Sequence, residues 1–412
     1  MDTTRLTPYN EPRNYRSDHA PDNQKGLQMP LFIYEAKELF NWLTSKEDIV
    51  VVDVRNNAEF AKFKVEGPSP FTLLNIPYFE FMEYEKECVA KLPPGSRIRI
   101  VCAKEASAKY VAEIIHRNGF DDVGYLHGGI TTWGNLLVPR LITSTNRYEL
   151  YQFIRPGKAS CSYGLLAGQE MMLFDPSRNI EFYLDFARQK NARIIKTFET
   201  HLQADYIAGS RMISEQTGAE FMANESDFAG ARIQYTRLAH NKTYGFASGG
   251  PEIRAFFTPG HTPGSTSYMI DNTYLITGDT VFITSIGRPD LGGKAEEWAT
   301  LLFSTMNEIK EIDRSLFVLP GHFMDWEEAD SRLIFQCTLG EAVDRNRTIY
   351  DIDTAAGFID FIKANMRPQP EEYGEIRLIN ANLEQVDEEK QNTLDIGKNE
   401  CAASAYAKLQ AA

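Results

Sequence analysis

Glu199-Thr200-His201-Leu202-Gln203-Ala204-Asp205-Tyr206 is the stretch on which the fold of the longer part of the chain turns. It follows an apolar run over 192–197 that reads as a strand, and it opens a segment over 204–215 whose spacing predicts a helix. Polar side chains at such a junction point off the edge of a sheet, where loops converge. Three later stretches repeat the arrangement: Thr258-Pro259-Gly260-His261-Thr262-Pro263-Gly264, Ile276-Thr277-Gly278-Asp279 and Leu319-Pro320-Gly321-His322. Each comes after an apolar run, and most hold Gly or Pro that forces a turn. A single histidine is usually structural, but histidines and a carboxylate at several strand ends suit a metal ion. Around them, strand-type runs come in close succession over 148–154, 162–167 and 171–174, and a helical stretch over 180–189 follows. A second strand-rich segment runs from 221 to 277, with helices from 296 onward. Two strand-rich halves with helices outside predict an αββα sandwich over 147–365. Residues 366–412 are acidic, poor in periodicity and read as an extended tail packed on that sandwich.

In order and spacing these loops resemble the metallo-β-lactamase superfamily. Its dinuclear zinc members carry a His-x-His-x-Asp-His motif in the first loop. Here Gln203 stands at the second His and Tyr206 at the last. An amide is a poor ligand for a transition metal and a tyrosine an uncommon one, so the dinuclear hydrolase site is not expected to form. His201, His261 and Asp279 remain, and they match the positions that hold one iron in sulfur dioxygenases of the superfamily. Two His and one carboxylate on one face of a metal leave three positions open, enough for a persulfide sulfur and O2 side by side. The resemblance therefore implies one Fe(II) per chain and oxidation of a low-molecular-weight thiol persulfide to sulfite. A mononuclear zinc thioester hydrolase similar to glyoxalase II is the alternative. Gln203, Asp205, Tyr206 and His322 are expected around the ligands or the substrate, orienting them by hydrogen bonds.

Ile286-Gly287-Arg288-Pro289-Asp290-Leu291 resembles the Gly-Arg-x-Asp stretch that follows the metal aspartate in this family. Arg288 there either supports the site through its guanidinium or forms a surface ion pair with Asp290. The family's thiol-contacting Tyr and Arg are not evident in Phe323-Met324-Asp325-Trp326, which leaves open whether the thiol is glutathione or another. Members commonly oligomerise through this domain, so a homo-oligomer is expected.

The first part of the chain reads differently. Ile49-Val50-Val51-Val52-Asp53-Val54 and Arg97-Ile98-Arg99-Ile100-Val101 suit buried parallel strands, and 123–126 suits a third. A helix over 106–118 places Tyr110, Val111, Ile114 and Ile115 on one face, and Gly119 stops it. This alternation predicts an α/β domain over 31–142, a parallel sheet with flanking helices, with a junction at 139–146. Val101-Cys102-Ala103-Lys104-Glu105-Ala106-Ser107-Ala108 puts a cysteine between a strand and a helix. Unpaired N–H groups at a helix start stabilise an anion, so a depressed thiol pKa is expected, with residues 103–107 as a cradle for a persulfide. Taken alone, the loop suits a buried structural thiol equally well.

The domain resembles the rhodanese family in several places. These are Asp53-Val54-Arg55 with Glu59-Phe60, Asn75-Ile76-Pro77, and Leu126-His127-Gly128-Gly129-Ile130 with Trp133. The resemblance implies that Cys102 carries sulfane sulfur between thiosulfate, thiol and sulfite, in either direction. Many active rhodaneses have Arg and Gly in this loop, where the chain has Ala-Lys-Glu-Ala. His127 is expected to pack or cap the loop, and Trp133 to lie in the core.

The bulk properties agree. A chain of 412 residues exceeds one ordinary core. Its net charge of -14 repels phosphate backbones and anionic lipid, so no nucleic-acid or membrane partner is expected. Residues 1–30 are a polar extension without the apolar stretch of a secretory signal, and no later run suits a membrane span, so a cytoplasmic location is expected. The five cysteines are scattered, odd in number and without a CxxC pair, which fits reduced thiols. Cys161 and Cys337 read as core thiols. Cys401 reaches a site only if the tail folds back.

Overall fold

The computed structural model describes residues 31–365 and 367–403. The expected extension over 1–30, with His19, and residues 404–412 lie outside the described residues. The first sheet has five parallel strands in the spatial order Phe32–Tyr34, Val123–Leu126, Ile98–Val101, Val50–Asp53, Thr72–Asn75. Val50, Val51 and Val52 are all buried, as a strand covered on both faces requires. The helix Glu105–Arg117 buries Ala108, Val111, Ala112, Ile114 and Ile115, the stripe expected of period 3.6. Tyr110, expected on that stripe, is exposed.

The rest forms two facing sheets. One has seven strands, ordered Thr236–Arg237, Glu220–Ala223, Arg193–Phe198, Glu170–Phe174, Ser160–Ala167, Glu149–Arg155, Val138–Ser144. The other has six, ordered Thr243–Tyr244, Ile253–Phe257, Thr266–Ile270, Tyr274–Gly278, Phe317–Pro320, Cys337–Thr338. Leu165, Met172, Phe174, Phe198, Tyr268, Ile276 and Leu319 belong to one core between them. Phe174 stacks on Phe198 at 4.9 Å, and Tyr268 packs against both rings. Tyr183 and Ala187 of the helix Ile180–Gln189 and Ile213 of the helix Ser210–Thr217 cover the first of these sheets, with Met171 and Leu173 beneath them. The helices Ala295–Lys310 and Ala355–Asn365 pack on the core from the other side. This is the αββα order expected.

Three expectations are corrected. The junction at 139–146 is largely the strand Val138–Ser144, which pairs antiparallel with Glu149–Arg155 at the edge of the seven-stranded sheet. Pro139 is tolerated there because an edge strand has a face of the ladder with no partner. The helix expected over 204–215 begins only at Ser210. Asn380 donates to the carbonyls of Gln203 and Tyr206 and accepts from the N–H of Ala208, so these backbone groups bond to the tail and not to a helical ladder. The tail is helical, not extended: Glu372–Asn380 and Glu388–Leu394 are helices, the second capped by the Asp387 carboxylate. Ile376, Ile379 and Leu394 bury against Ile207.

The two parts share packing. Tyr34, Leu39, Phe40 and Trp133 join the same core as Ile154 and Phe323. Arg155 donates to the Gly134 carbonyl at 2.7 Å and to the Asp395 carboxylate at 2.8 Å, so one buried guanidinium ties the first domain, the sandwich and the tail. Among the described residues, no helix is long and apolar enough to cross a membrane.

Candidate functional site

His201 follows the strand Arg193–Phe198, His261 follows Ile253–Phe257 and Asp279 follows Tyr274–Gly278. The sandwich brings these three strand ends together, and one ligand atom from each lies within 4.8 Å of the others. Asp279 Oδ2 is 3.9 Å from His201 Nε2 and 3.5 Å from His261 Nε2. All three atoms are buried and have no hydrogen-bond partner. An unpaired buried polar atom costs on the order of 1–3 kcal/mol, so three aimed at one point fit a cation between them.

The tautomers agree with this. His261 Nδ1 lies 2.8 Å from the Arg288 carbonyl, which can only accept, so Nδ1 carries the proton and Nε2 offers its lone pair. His201 Nδ1 lies 2.9 Å from the Thr200 hydroxyl, which itself donates to Asp175. Burial drives the His201 pKa down to about 3, keeping the ring neutral. Burial alone would raise the Asp279 pKa, but His322, His201 and His261 outweigh it and hold the carboxyl below its ordinary range. Gly287 packs so close that a Cβ there would lie 1.8 Å from the Asp279 carbonyl and 2.9 Å from His261 Nδ1.

The neighbours fall into place unevenly. His322 Nδ1 lies 2.8 Å from Asp279 Oδ1 and its Nε2 lies 2.9 Å from Asp205 Oδ2. Burial disfavours the His322 cation, yet Asp279 and Asp205 together push its pKa up to about 10. Gln203 is buried near Glu199, and its carbonyl oxygen Oε1 has no hydrogen-bond partner. Tyr206 turns away, its hydroxyl donating to the Asp175 carbonyl at 3.3 Å. Arg288 does pair with Asp290, at 2.6 Å, but the pair is buried and not a surface one. Its support of the site runs through its carbonyl, on His261, and not through the guanidinium, which binds the carbonyls of Arg367 and Glu400 in the tail.

Sequence reasoning did not single out several groups found here. Thr200 and Asp175 stand behind His201, Lys158 donates to the Asp205 carbonyl at 2.8 Å, and Tyr373 lies against Cys401. The tail does fold back: Cys401 is buried beside the Asp279 carboxylate. No local motif marks any of these residues.

In the first domain, Cys102 directly follows the strand Ile98–Val101, and the N–H groups of Lys104 and Ala103 and the Ser107 side chain lie near its sulfur and favour its anion. Glu105 accepts from the Gly128 N–H at 2.6 Å, and the Ala106 side chain is exposed. The depressed thiol pKa expected here is corrected. Burial outweighs the three donors and raises it. The sequence shows the helix start but not how deeply the sulfur sits. His127 is exposed and reaches Glu35 and Glu105, at the loop's outer edge. Arg55 grips Asp53 through two nitrogens, and Asn75 donates to the carbonyls of Asp53 and Arg55 at 2.9 Å, which links those two motifs beside the thiol.

Residues 35–136 match the rhodanese-like domain family. The chain is 31% identical over 168 residues to a hydroxyacylglutathione hydrolase of Anaeromyxobacter dehalogenans, covering 41% of this chain and only 63% of that protein. It is 26% identical over 178 residues to the probable metallo-hydrolase YqgX of Bacillus subtilis, covering 39% of this chain and 83% of that one. The crystal structure of a metallo-β-lactamase from Staphylococcus aureus superposes with a TM-score of 0.52 at 27% identity, over 58% of this chain and 75% of that one. The architecture is thus a rhodanese-like α/β domain followed by an αββα sandwich of the metallo-β-lactamase fold that carries a candidate metal-ligand set.

Proposed function

We propose that the chain is a persulfide dioxygenase. It adds both atoms of O2 to the outer sulfur of a low-molecular-weight thiol persulfide such as glutathione persulfide, and water releases sulfite and the thiol. The change balances as R–S–SH + O2 + H2O → R–SH + H2SO3, with sulfur oxidised and O2 reduced. The observation behind this reading is the set of three unpartnered buried atoms, two imidazole Nε2 and one carboxylate Oδ2, with Gln203 in place of a third imidazole. His201, His261 and Asp279 would hold an Fe(II), which would supply open positions and redox chemistry for O2 and a sulfur anion.

The chain's own residues do the rest. Thr200 and the Arg288 carbonyl hold the two rings. His322 engages Oδ1 of Asp279 and leaves Oδ2 for the ion. Burial of all three ligands excludes water. In the first domain Cys102 takes sulfur by Cys102–S⁻ + S2O3²⁻ → Cys102–S–S⁻ + SO3²⁻ and passes it to the thiol, or runs in reverse. The three donors at Cys102 suit the anionic outer sulfur of that persulfide.

A second reading, a mononuclear zinc thioester hydrolase, draws on the 31% identity to a hydroxyacylglutathione hydrolase. Metal content of protein purified without added metal, paired with O2 uptake on glutathione persulfide, separates the two. Iron at one equivalent with uptake supports the dioxygenase. Zinc alone, no uptake and thioester hydrolysis sink it. Cys102→Ser should abolish sulfur transfer and leave uptake of a supplied persulfide intact.

A further inference from the structure

The residue that follows each of the two candidate ligand histidines gives a hydrogen to one and the same carboxylate oxygen. The Leu202 N–H, next to His201, donates to Asp227 Oδ2 at 2.9 Å, and the Thr262 hydroxyl, next to His261, donates to it at 2.7 Å. The Gly264 N–H donates to the other oxygen, Oδ1, at 2.7 Å. A carboxylate only accepts, so three donors converging on this partly buried side chain suit its anion and fix its place. The two histidine loops follow strands of different sheets, Arg193–Phe198 in one and Ile253–Phe257 in the other. The ladder of neither sheet therefore sets the distance between them.

The short helix Glu225–Phe228 that carries Asp227 is itself anchored to both loops. Asn224 caps it by accepting from the Ser226 N–H at 3.0 Å, and its amide donates to the Thr266 hydroxyl at 3.2 Å. The Thr266 N–H reaches the Thr200 carbonyl, just before His201, at 2.8 Å. Phe228 packs with Phe221, and Leu202 packs against them. Thr262 is braced in turn, its N–H donating to Ser265 Oγ at 3.0 Å and its hydroxyl lying 2.9 Å from the same atom. We propose that Asp227 is a positioning residue whose carboxylate clamps the two histidine loops at the spacing a shared ion needs. Ligand constellations of this kind work only within about 0.5 Å of their proper geometry, which leaves little play between two separately carried loops. The inference rests on His201, His261 and Asp279 holding an ion, and not on what that ion does, so it serves an iron dioxygenase and a zinc hydrolase alike.

The test is titration of the metal-stripped full chain with Co(II), followed by its visible ligand-field bands, with circular dichroism to check the fold. The bands are read as the difference from His201→Ala, so that they report this site. In Asp227→Asn one oxygen becomes an NH2 group that meets a donor, so affinity should fall about 10-fold. The bands of the saturated variant should also shift, because the two rings reach the ion from changed positions. Thr262→Val removes one of the three bonds and should shift the bands the same way by less, while Thr262→Ser, which keeps the hydroxyl, should return the wild-type spectrum. A merely structural role would lower the thermal midpoint and leave the saturated spectrum alone. The inference is overturned if folded Asp227→Asn or Thr262→Val protein gives the wild-type spectrum, or if Thr262→Ser shifts it as far as Thr262→Val. Should Asp227→Asn fail to fold, the two Thr262 variants decide. A wild type without cobalt at this site sinks the ion site and the clamp together, whereas a zinc-loaded thioester hydrolase sinks the dioxygenase and leaves the clamp standing.

Discussion

At the scale of single residues, the three candidate ligand atoms depend on partners one step further back. The Thr200 hydroxyl is both the neighbour of His201 Nδ1 and a donor to Asp175. Removing it in Thr200→Val leaves the ring free to turn, and outer hydrogen bonds of this kind are worth about 10–100-fold in metal affinity. Competition with a chelator should show a loss of that size with the fold intact, and unchanged affinity would show that another group orients His201. His201, His261 and Asp279 were legible in the sequence because each sits in a short stretch with its own turn. Thr200 was not, since a hydroxyl beside a histidine carries no signal of its own. Cys401 was legible only conditionally, as a thiol that reaches a site if the tail folds back, because nothing local says where a distant tail will lie. The thiol of Cys102 shows the converse, its position legible and its titration not, because desolvation is a property of the packed domain.

At the scale of elements, the turn between Val123–Leu126 and Ile130–Asn135 sets the shape of the Cys102 loop. Gly129 has φ of 68°, and a Cβ there would lie 2.5 Å from the Ala103 carbonyl oxygen and 2.6 Å from that of Cys102. The next residue, Ile130, donates to the Cys102 carbonyl at 2.7 Å. Gly129→Ala should therefore push the thiol loop out of place, costing on the order of 1–3 kcal/mol in the first domain. Sulfur transfer should collapse while metal uptake by the sandwich persists, and normal transfer in that variant would show the loop to be yielding. The strands of both domains could be read because their apolar runs are continuous. The helix expected at 204–215 could not, because its first turn is diverted by Asn380, a residue with no sequence proximity. The tail helices were missed because Ile376, Ile379 and Leu394 are few and set among acidic residues.

At the scale of the molecule, the tail is held by charge as much as by apolar contact. Asp395 is buried between Arg155 and Arg178, at 2.8 and 2.9 Å. Burial would raise its pKa, but Arg155, Lys158 and Arg178 outweigh it and hold it at about 2. A depressed carboxylate contributes its stability above the ordinary carboxylate range and loses it as pH falls toward 2. Asp395→Asn leaves two buried guanidinium groups short of a counter-charge and should cost about 3–5 kcal/mol. The thermal midpoint at neutral pH should fall well below that of the wild type, and the gap should close as the pH of the comparison is lowered. An unchanged midpoint would mean that the tail docks without this pair. Two-domain architecture was legible from length and from the change in strand rhythm, but the shared core and the Arg155 bridge were not, since both join residues far apart in the chain. The crossing of the tail over Asp205 and Asp279 also bears on the order of synthesis. A ribosome delivers the sandwich and its three facing side-chain atoms before residues 395–401, so in a nascent chain their pocket stays uncovered until that stretch of the tail emerges and crosses it.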